Sequence, residues 1–416
     1  MIPTDTPVFT AEDQRALLSM VARFAREVVA PQVPAWEAAG EFPRSIYRQA
    51  ADLGLLGLGY PEALGGTPAP WSVRNAVMQT LSRVGGSGGF MASLFSHNIG
   101  LPPLMAHGTA ELQARVVPTV LRGEAIAALG ITEPGGGSDV ASLRTTAKLD
   151  GDHYVVNGEK VFITSGMRCD WLTLAVRTGE QSKGATGISL LLVPCDTPGI
   201  SRTRLDKMGW LCSDTAHLRF DNVRVPVALR LGEEGAGFRM IMANFNGERL
   251  AMSAIALGFA QACYDEALDW VRQRQTFGVP LIERQVIRHK LMDMQMRIQS
   301  TQAWVDALGA RADAGEAGVP PPGRPKAEQP PWGAETLAQQ GSVGANSDWV
   351  ANVCLLKNHA TQTMQFCADA AVQMLGGMGF MRGTVSERVY REVKVMMIGG
   401  GAEEIMKELA ARQWNL

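Results

Sequence analysis

At 416 residues the chain is long enough for two or three domains and a large buried core. Its formal charge of −2, with 19% of residues charged, offers no polyanion-binding surface and argues against a nucleic-acid role. No apolar run reaches membrane-spanning length, and the opening MIPTDTPVFTAEDQRALL carries no charged-then-apolar leader, so a cytoplasmic protein without membrane insertion is expected. That opening passes directly into a helical pattern, with Thr10 placed to act as N-cap. Residues 1–125 read as a helical domain, with apolar residues recurring at three and four in LLSMVARFAREVV and SIYRQAADLGLLGL. Residues 126–235 change period. YVV and KVFIT flank Asn157-Gly158, a hairpin signal, and WLTLAVRT, GISLLLVP and HLRFDNVRVP read as further strands. Residues 236–416 are helical again, beginning with the long apolar run MIMANFNGERLAMSAIALGFAQACYDEALDWVRQRQ. Helices, then strands, then helices imply segregated domains and exclude an alternating βαβ fold.

Residues 318–348, GVPPPGRPKAEQPPWGAETLAQQGSVGANSD, interrupt the last domain with a proline- and glycine-rich insertion that cannot continue a helix. It reads as a partly polyproline-like surface loop, within which Trp332 either docks on the protein or stays solvated. The six cysteines, at 169, 195, 212, 263, 354 and 367, lie singly with no CxxC, which reads as reduced, mostly buried thiols. No HExxH and no histidine cluster at ligand spacing is present, so no metal is expected.

The first chemical candidate is ITEPGGGSD, residues 131–139. It is neither a P-loop nor GxGxxG, no βαβ unit surrounds it, and Ser138 lacks the GxSxG elbow of a hydrolase nucleophile. Alone it reads as a turn.

In order along the chain, however, TEPGGGSDVASLRTTA, NGEKVFITSG, RQTFGVPL, QMLGGMGF and IGGGAEEIM together resemble the acyl-CoA dehydrogenase family. The resemblance spans essentially the whole chain apart from the insertion. It implies a mainly α fold with a central β domain: an N-terminal helical domain, a middle β-barrel-like domain and a C-terminal four-helix bundle. It also implies a homotetramer with one FAD per subunit. By the family pattern, Leu129, Ile131, Thr132, Gly137 and Ser138 line the isoalloxazine edge, with Thr132 bonding the ring and Ser138 near phosphate and substrate. Phe162 stands where the family often carries tryptophan against the flavin face, followed by Ile163, and Thr164 would bond near N5. Arg274, Thr276, Phe277 and Gln285 would reach the FAD of a neighbouring subunit, with Gln373, Gly376 and Gly377 clamping its adenosine part. A permanently charged, forked arginine suits pyrophosphate.

The family's chemistry removes an α-proton from an acyl thioester as the β-hydrogen leaves as hydride. A carboxylate must meet the proton, and hydrogen bonds must polarise the carbonyl. Many members carry the glutamate in the final motif, where this chain has Gly400. A second group, resembling long-chain and isovaleryl-CoA dehydrogenases, carries it on a C-domain helix directly before an arginine. NFNGERLAMSA has that signature and points to Glu248 as the base, with Glu403 and Glu404 as competitors. Asn246, Arg249, Gly400 and Gly401 are the implied substrate contacts, the Gly400 N–H meeting the thioester oxygen. Ala402 stands where the family has a threonine near FAD, with Glu404 beside it. Stretch 91–107 either walls the acyl tunnel or simply packs. The function implied is FAD-dependent dehydrogenation of an acyl-CoA in fatty acid or branched-chain acyl metabolism, with electrons passed to an electron-transfer flavoprotein. An oxidase or monooxygenase of the same fold, and a non-catalytic scaffold, are the alternatives.

Overall fold

The computed structural model describes residues 9–179, 184–317 and 346–416. Helix α1 (Ala11–Phe24) opens as the sequence suggests. The Thr10 hydroxyl accepts from the Asp13 N–H while the Asp13 carboxylate accepts from the Thr10 N–H, so two end donors are satisfied reciprocally. The N-terminal region continues through α2 (Val33–Ala39), α3 (Ser45–Asp52), α4 (Trp71–Gly85), α5 (Gly88–Leu94), α6 (His97–Gly100), α7 (Pro102–His107) and α8 (Ala110–Leu121).

The strands follow: β1 (Ala127–Gly130), β2 (Thr146–Asp150), β3 (His153–Thr164), β4 (Trp171–Arg177), β5 (Ile188–Pro194), β6 (Ile200–Arg204), β7 (Thr215–Pro226) and β8 (Arg230–Leu231). They pair in the order β6-β7-β3-β2-β4-β5-β8, with β1 parallel on β4. β4 and β5 are near-continuous apolar runs because both faces are covered. Residues 171–174 of β4 pair with β1, and Arg177 pairs with Thr146 of β2. β1 and β2 therefore lie end to end along one edge of β4, and the glycine-bearing segment between them is thrown clear of the sheet.

The Asn157-Gly158 hairpin is not formed. β3 runs straight through both residues with a bulge, and the reversal comes earlier, where Asp150 faces His153 across Gly151 (φ 62°). Gly158 serves a close approach: a Cβ there would lie 2.6 Å from Thr145 Oγ1.

The C-terminal region holds α9 (Gly237–Gln273), the short pair β9 (Gln275–Thr276) and β10 (Val279–Pro280), α10 (Gln285–Asp313), α11 (Ser347–Leu375), α12 (Gly377–Phe380), α13 (Val385–Ile398) and α14 (Glu403–Gln413). α9 and α11 run in parallel, Arg249 meeting Cys354 and Cys263 lying beside Cys367. The Glu266 carboxylate of α9 receives the first N–H groups of α13 from Val385 and Ser386 at 2.9 and 2.7 Å, an anion at a helix N-terminus. From there α13 returns along α9 and delivers its C-terminal glycines to the level of Glu248. The proline-rich insertion, Trp332 included, lies outside the described residues up to 345; Asn346 then caps α11 by accepting from the Asp348 N–H. All six cysteines are buried and unbridged. No helix among the described residues is long and apolar enough to cross a membrane.

Candidate active site

Two constructions meet near the N-terminal end of α9. The first is the loop after β1. Its Glu133 carboxylate accepts from the Arg144 and Thr145 N–H groups at 2.6 and 2.8 Å and from Lys160 Nζ at 2.8 Å. The same ammonium donates to Ile131 O at 2.9 Å, and the Val161 N–H donates to Thr132 O at 2.8 Å. Lys160 is fully buried and Glu133 nearly so. Burial alone would raise the Glu133 carboxyl, but Lys160 and the N–H donors hold it below its ordinary value; burial in turn pushes Lys160 down to about 8. This ion pair ties Leu129–Thr132 to β3 at residues 160–164, so the two segments expected to edge a flavin lie side by side. Neither Glu133 nor Lys160 was singled out from sequence, although both stand inside the quoted motifs.

Past Glu133 the loop is open. Residues 134–139, including Gly137 and Ser138, are exposed, and a Cβ on Gly135 would meet nothing within 4 Å. On the neighbouring strand Phe162 adopts φ 61° at an irregularity of the β3–β7 register and turns out, 69% exposed, while Ile163 points into the core. A left-handed phenylalanine costs on the order of 1 kcal/mol, which the fixed strand on either side sustains. The Thr132 and Thr164 hydroxyls are half-buried and have no partner among the described residues.

The second construction is the turn between α13 and α14. Gly400 has φ 66° and Gly401 φ 113°, and a Cβ on Gly400 would sit 3.0 Å from Met252 Sδ and 3.9 Å from Glu248 Oε1. Met252 is one turn beyond Glu248 on α9, so both project to the same face, against Gly400. Glu248 Oε2 is shut off from solvent and has no hydrogen-bond partner among the described residues. Burial raises this carboxyl to about 7, with Arg249 and Lys357 pulling the other way. The N–H groups of Gly400 and Gly401 donate to no described residue, whereas their carbonyls are taken: Gly400 O by Arg249 Nε at 3.0 Å, Gly401 O by Lys357 Nζ at 2.7 Å. Arg249 and Asn246 are buried and bonded to each other. Glu403 and Glu404 open α14 behind Ala402; Glu404 is exposed and the Glu403 carboxylate accepts from Gln362.

The two constructions are neighbours across α6. Asn244 Nδ2, one turn before Glu248, donates to Ile99 O at 2.9 Å, and the adjoining Gly100 abuts the backbone of Ala128 in β1. Arg274, Thr276, Phe277 and Gln285 are not brought here. They lie beyond the far end of α9, roughly 39 Å along the helix from Glu248 at 1.5 Å per residue. The parallel run of α9 and α11 puts Gln373, Gly376 and Gly377 at that same end, where all three are exposed and Phe277 is 97% exposed.

The chain matches the acyl-CoA dehydrogenase family in three parts: its N-terminal domain over residues 11–124, its middle domain over 128–223 and its C-terminal domain over 235–327 and 333–414. The chain belongs to the acyl-CoA dehydrogenase family. It is 34% identical over 402 residues to the mitochondrial long-chain specific acyl-CoA dehydrogenase of Rattus norvegicus, covering 94% of this chain and 84% of that one. To the mitochondrial isovaleryl-CoA dehydrogenase of Oryza sativa subsp. japonica it is 32% identical over 406 residues, covering 97% and 91%. Among solved structures, that of a probable acyl-CoA dehydrogenase from Mycobacterium abscessus matches with a TM-score of 0.87 at 42% identity, covering 97% and 99%. Acyl-CoA dehydrogenases are FAD-binding oxidoreductases, and the residues of this chain fit a flavin. The exposed glycine backbone at 135–137, the outward aromatic ring of Phe162 and the Thr132 and Thr164 hydroxyls, unpartnered among the described residues, are groups of the kind a flavin ring would contact.

Proposed function

We propose that this acyl-CoA dehydrogenase converts an acyl-CoA thioester to the trans-2-enoyl-CoA, with FAD as the oxidant and Glu248 as the base. The observation that carries the reading is the Glu248 carboxyl, unpartnered at Oε2 and aimed at the bare backbone of Gly400. An α-C–H beside a thioester is a weak acid, so the site has two tasks. The Gly400 N–H, bound to no described residue, donates to the thioester oxygen and draws charge off the α-carbon. Glu248 takes the α-proton, and a carboxyl raised to about 7 is both ionised near neutrality and basic enough to accept it. When bound, FAD supplies the acceptor at N5 for the hydride that leaves the β-carbon as the double bond forms. Leu129, Ile131, Thr132, Gly137, Ser138, Phe162, Ile163 and Thr164 hold its ring, with Ala402 and Glu404 at the edge of the same site.

Arg274, Thr276, Phe277, Gln285, Gln373, Gly376 and Gly377 bind the adenosine end of a neighbouring subunit's FAD in a homotetramer. Their distance from Glu248 supports that division, as do the exposed apolar side chains of Phe277, Val286, Met292 and Met296 beside them. Electrons pass on to an electron-transfer flavoprotein. The substrate is a branched or longer acyl chain, by likeness to relatives with the base on the helix.

Anaerobic addition of straight and β-branched acyl-CoAs to the purified holoenzyme tests the reaction. Bleaching of the flavin with enoyl-CoA formation, and little peroxide in air, is expected. No bleaching by any acyl-CoA overturns the reading, and peroxide formed at the rate of turnover replaces it with an oxidase.

A further inference from the structure

Lys357 stands in the middle of α11 with its side chain fully buried, and no carboxylate among the described residues lies within ion-pairing distance of it. Burying an ammonium without a counter-ion is costly unless its hydrogen bonds are met. Here two are met by one turn: Nζ donates to Met397 O at 2.9 Å and to Gly401 O at 2.7 Å. Arg249 Nε takes the carbonyl between them, Gly400 O, at 3.0 Å. Three carbonyls of a single α13–α14 connection thus receive cationic donors from two different helices.

The turn needs such clamping. Gly399, Gly400 and Gly401 have no side chains to pack, and glycine loses more freedom on ordering than any other residue. Met397 O is also one of the end carbonyls that α13 leaves without a helical partner, where a positive charge is favourable. The held carbonyls of Met397 and Gly400 lie on either side of the Gly399–Gly400 peptide, which carries the Gly400 N–H. The cations in turn lie beside Glu248.

We propose that Lys357 is a positioning residue of the dehydrogenation site, holding the glycine turn by two carbonyls and keeping a positive charge beside the Glu248 carboxyl. The proposal rests on Glu248 being the base. Lys357 does not touch the substrate; it acts through the turn and through the charge on Glu248. The groups facing Glu248 are Arg249 on its own helix and Lys357 on α11. Those facing Lys357 are Arg249 and Glu248 on α9, Cys354 on α11 and Glu403 on α14. Cys354 is raised by burial and stays protonated in the range where Glu248 titrates. Loss of the Lys357 charge favours protonated Glu248, so the acid limb of the rate profile moves to higher pH.

The test is the rate of anaerobic flavin reduction by acyl-CoA against pH, in holoenzymes carrying Lys357→Gln and Lys357→Met, with FAD content measured on each. Gln keeps a donor and drops the charge; Met drops both and fits the apolar helix face, so one of the two is available should the other fold poorly. Unchanged FAD content, an acid limb moved up by about one unit and a roughly fivefold slower reduction at pH 7 are expected for K357Q. K357M is expected to lose acyl-CoA affinity as well, through the loosened turn. An acid limb that stays in place in both variants overturns the proposal, whether rates are unchanged or fall only in step with FAD content. Glu248→Gln run alongside separates the two readings: reduction persisting in E248Q overturns the base assignment and this proposal together, whereas an unmoved limb with an inactive E248Q overturns this proposal alone.

Discussion

The chain contains two triple-glycine stretches, 135–137 and 399–401, that look alike in sequence and differ in everything around them. None of the first three has a left-handed backbone, and a Cβ on Gly136 would come no nearer than 3.8 Å to Asp139 O. Gly400 and Gly401 are both left-handed, and a Cβ would meet Met252 Sδ at 3.0 Å and Met406 Cε at 2.3 Å respectively. The anchors differ too. The first stretch hangs from a buried carboxylate–ammonium pair, Glu133–Lys160; the second is held by cations bonded to carbonyls, with the nearby carboxylate, Glu248, left without a partner at Oε2. Glycine at 135–137 leaves space for a ligand. Glycine at 400 and 401 is demanded by the fold, and two backbone N–H groups and one carboxylate oxygen are left there without a partner among the described residues.

Breaking the first anchor has the largest consequence. Glu133→Ala strands a buried ammonium and releases two backbone donors, so it is expected to cost about 3 kcal/mol or more and to shed FAD, read by denaturant unfolding and flavin absorbance. The unpartnered carboxyl of the second region predicts the opposite sign. Glu248 holds its proton more tightly folded than unfolded, so its contribution to stability is full below the ordinary glutamate range and is lost as pH rises to about 7. E248Q should therefore match the wild type at pH 4 and exceed it at pH 8 by up to about 3 kcal/mol. A constant difference across that range would deny the burial of the carboxyl. Gly400→Ala meets both the left-handed backbone and Met252, and is expected to lose about 1–2 kcal/mol together with most of the reduction rate. Gly136→Ala should stay within about 0.5 kcal/mol of the wild type while retaining FAD less tightly; unchanged FAD retention would mean that no flavin rests on that backbone.

The order of helices, strands and helices was legible because the apolar period changes near residues 126 and 236, and Thr10 announced its cap through Asp13. The Asn157-Gly158 pair misled because glycine answers two needs, a turn or a close approach, and sequence does not separate them; here the backbone of Thr145 passes beneath it. Glu248 and Gly400 were paired by resemblance. What escaped the sequence were the groups that hold them, Lys357 and Met252, and the pair Glu133–Lys160. A signal existed for Lys357: it breaks a buried stripe of Val350, Cys354, Thr361 and Met364 on α11, where a charge has no place unless bonded. Which carbonyls it would find depends on the return path of α13, set by Glu266 from a different helix, and no local pattern carries that.

The most direct test of the base assignment follows the α-carbon itself, apart from electron transfer. With acyl-CoA bound to the holoenzyme in deuterated water, the wild type is predicted to exchange the α-hydrogen with solvent, while Glu248→Gln stays yellow, binds the acyl-CoA and exchanges it about a thousandfold more slowly. Exchange at the wild-type rate in that variant would place the base elsewhere and contradict the account.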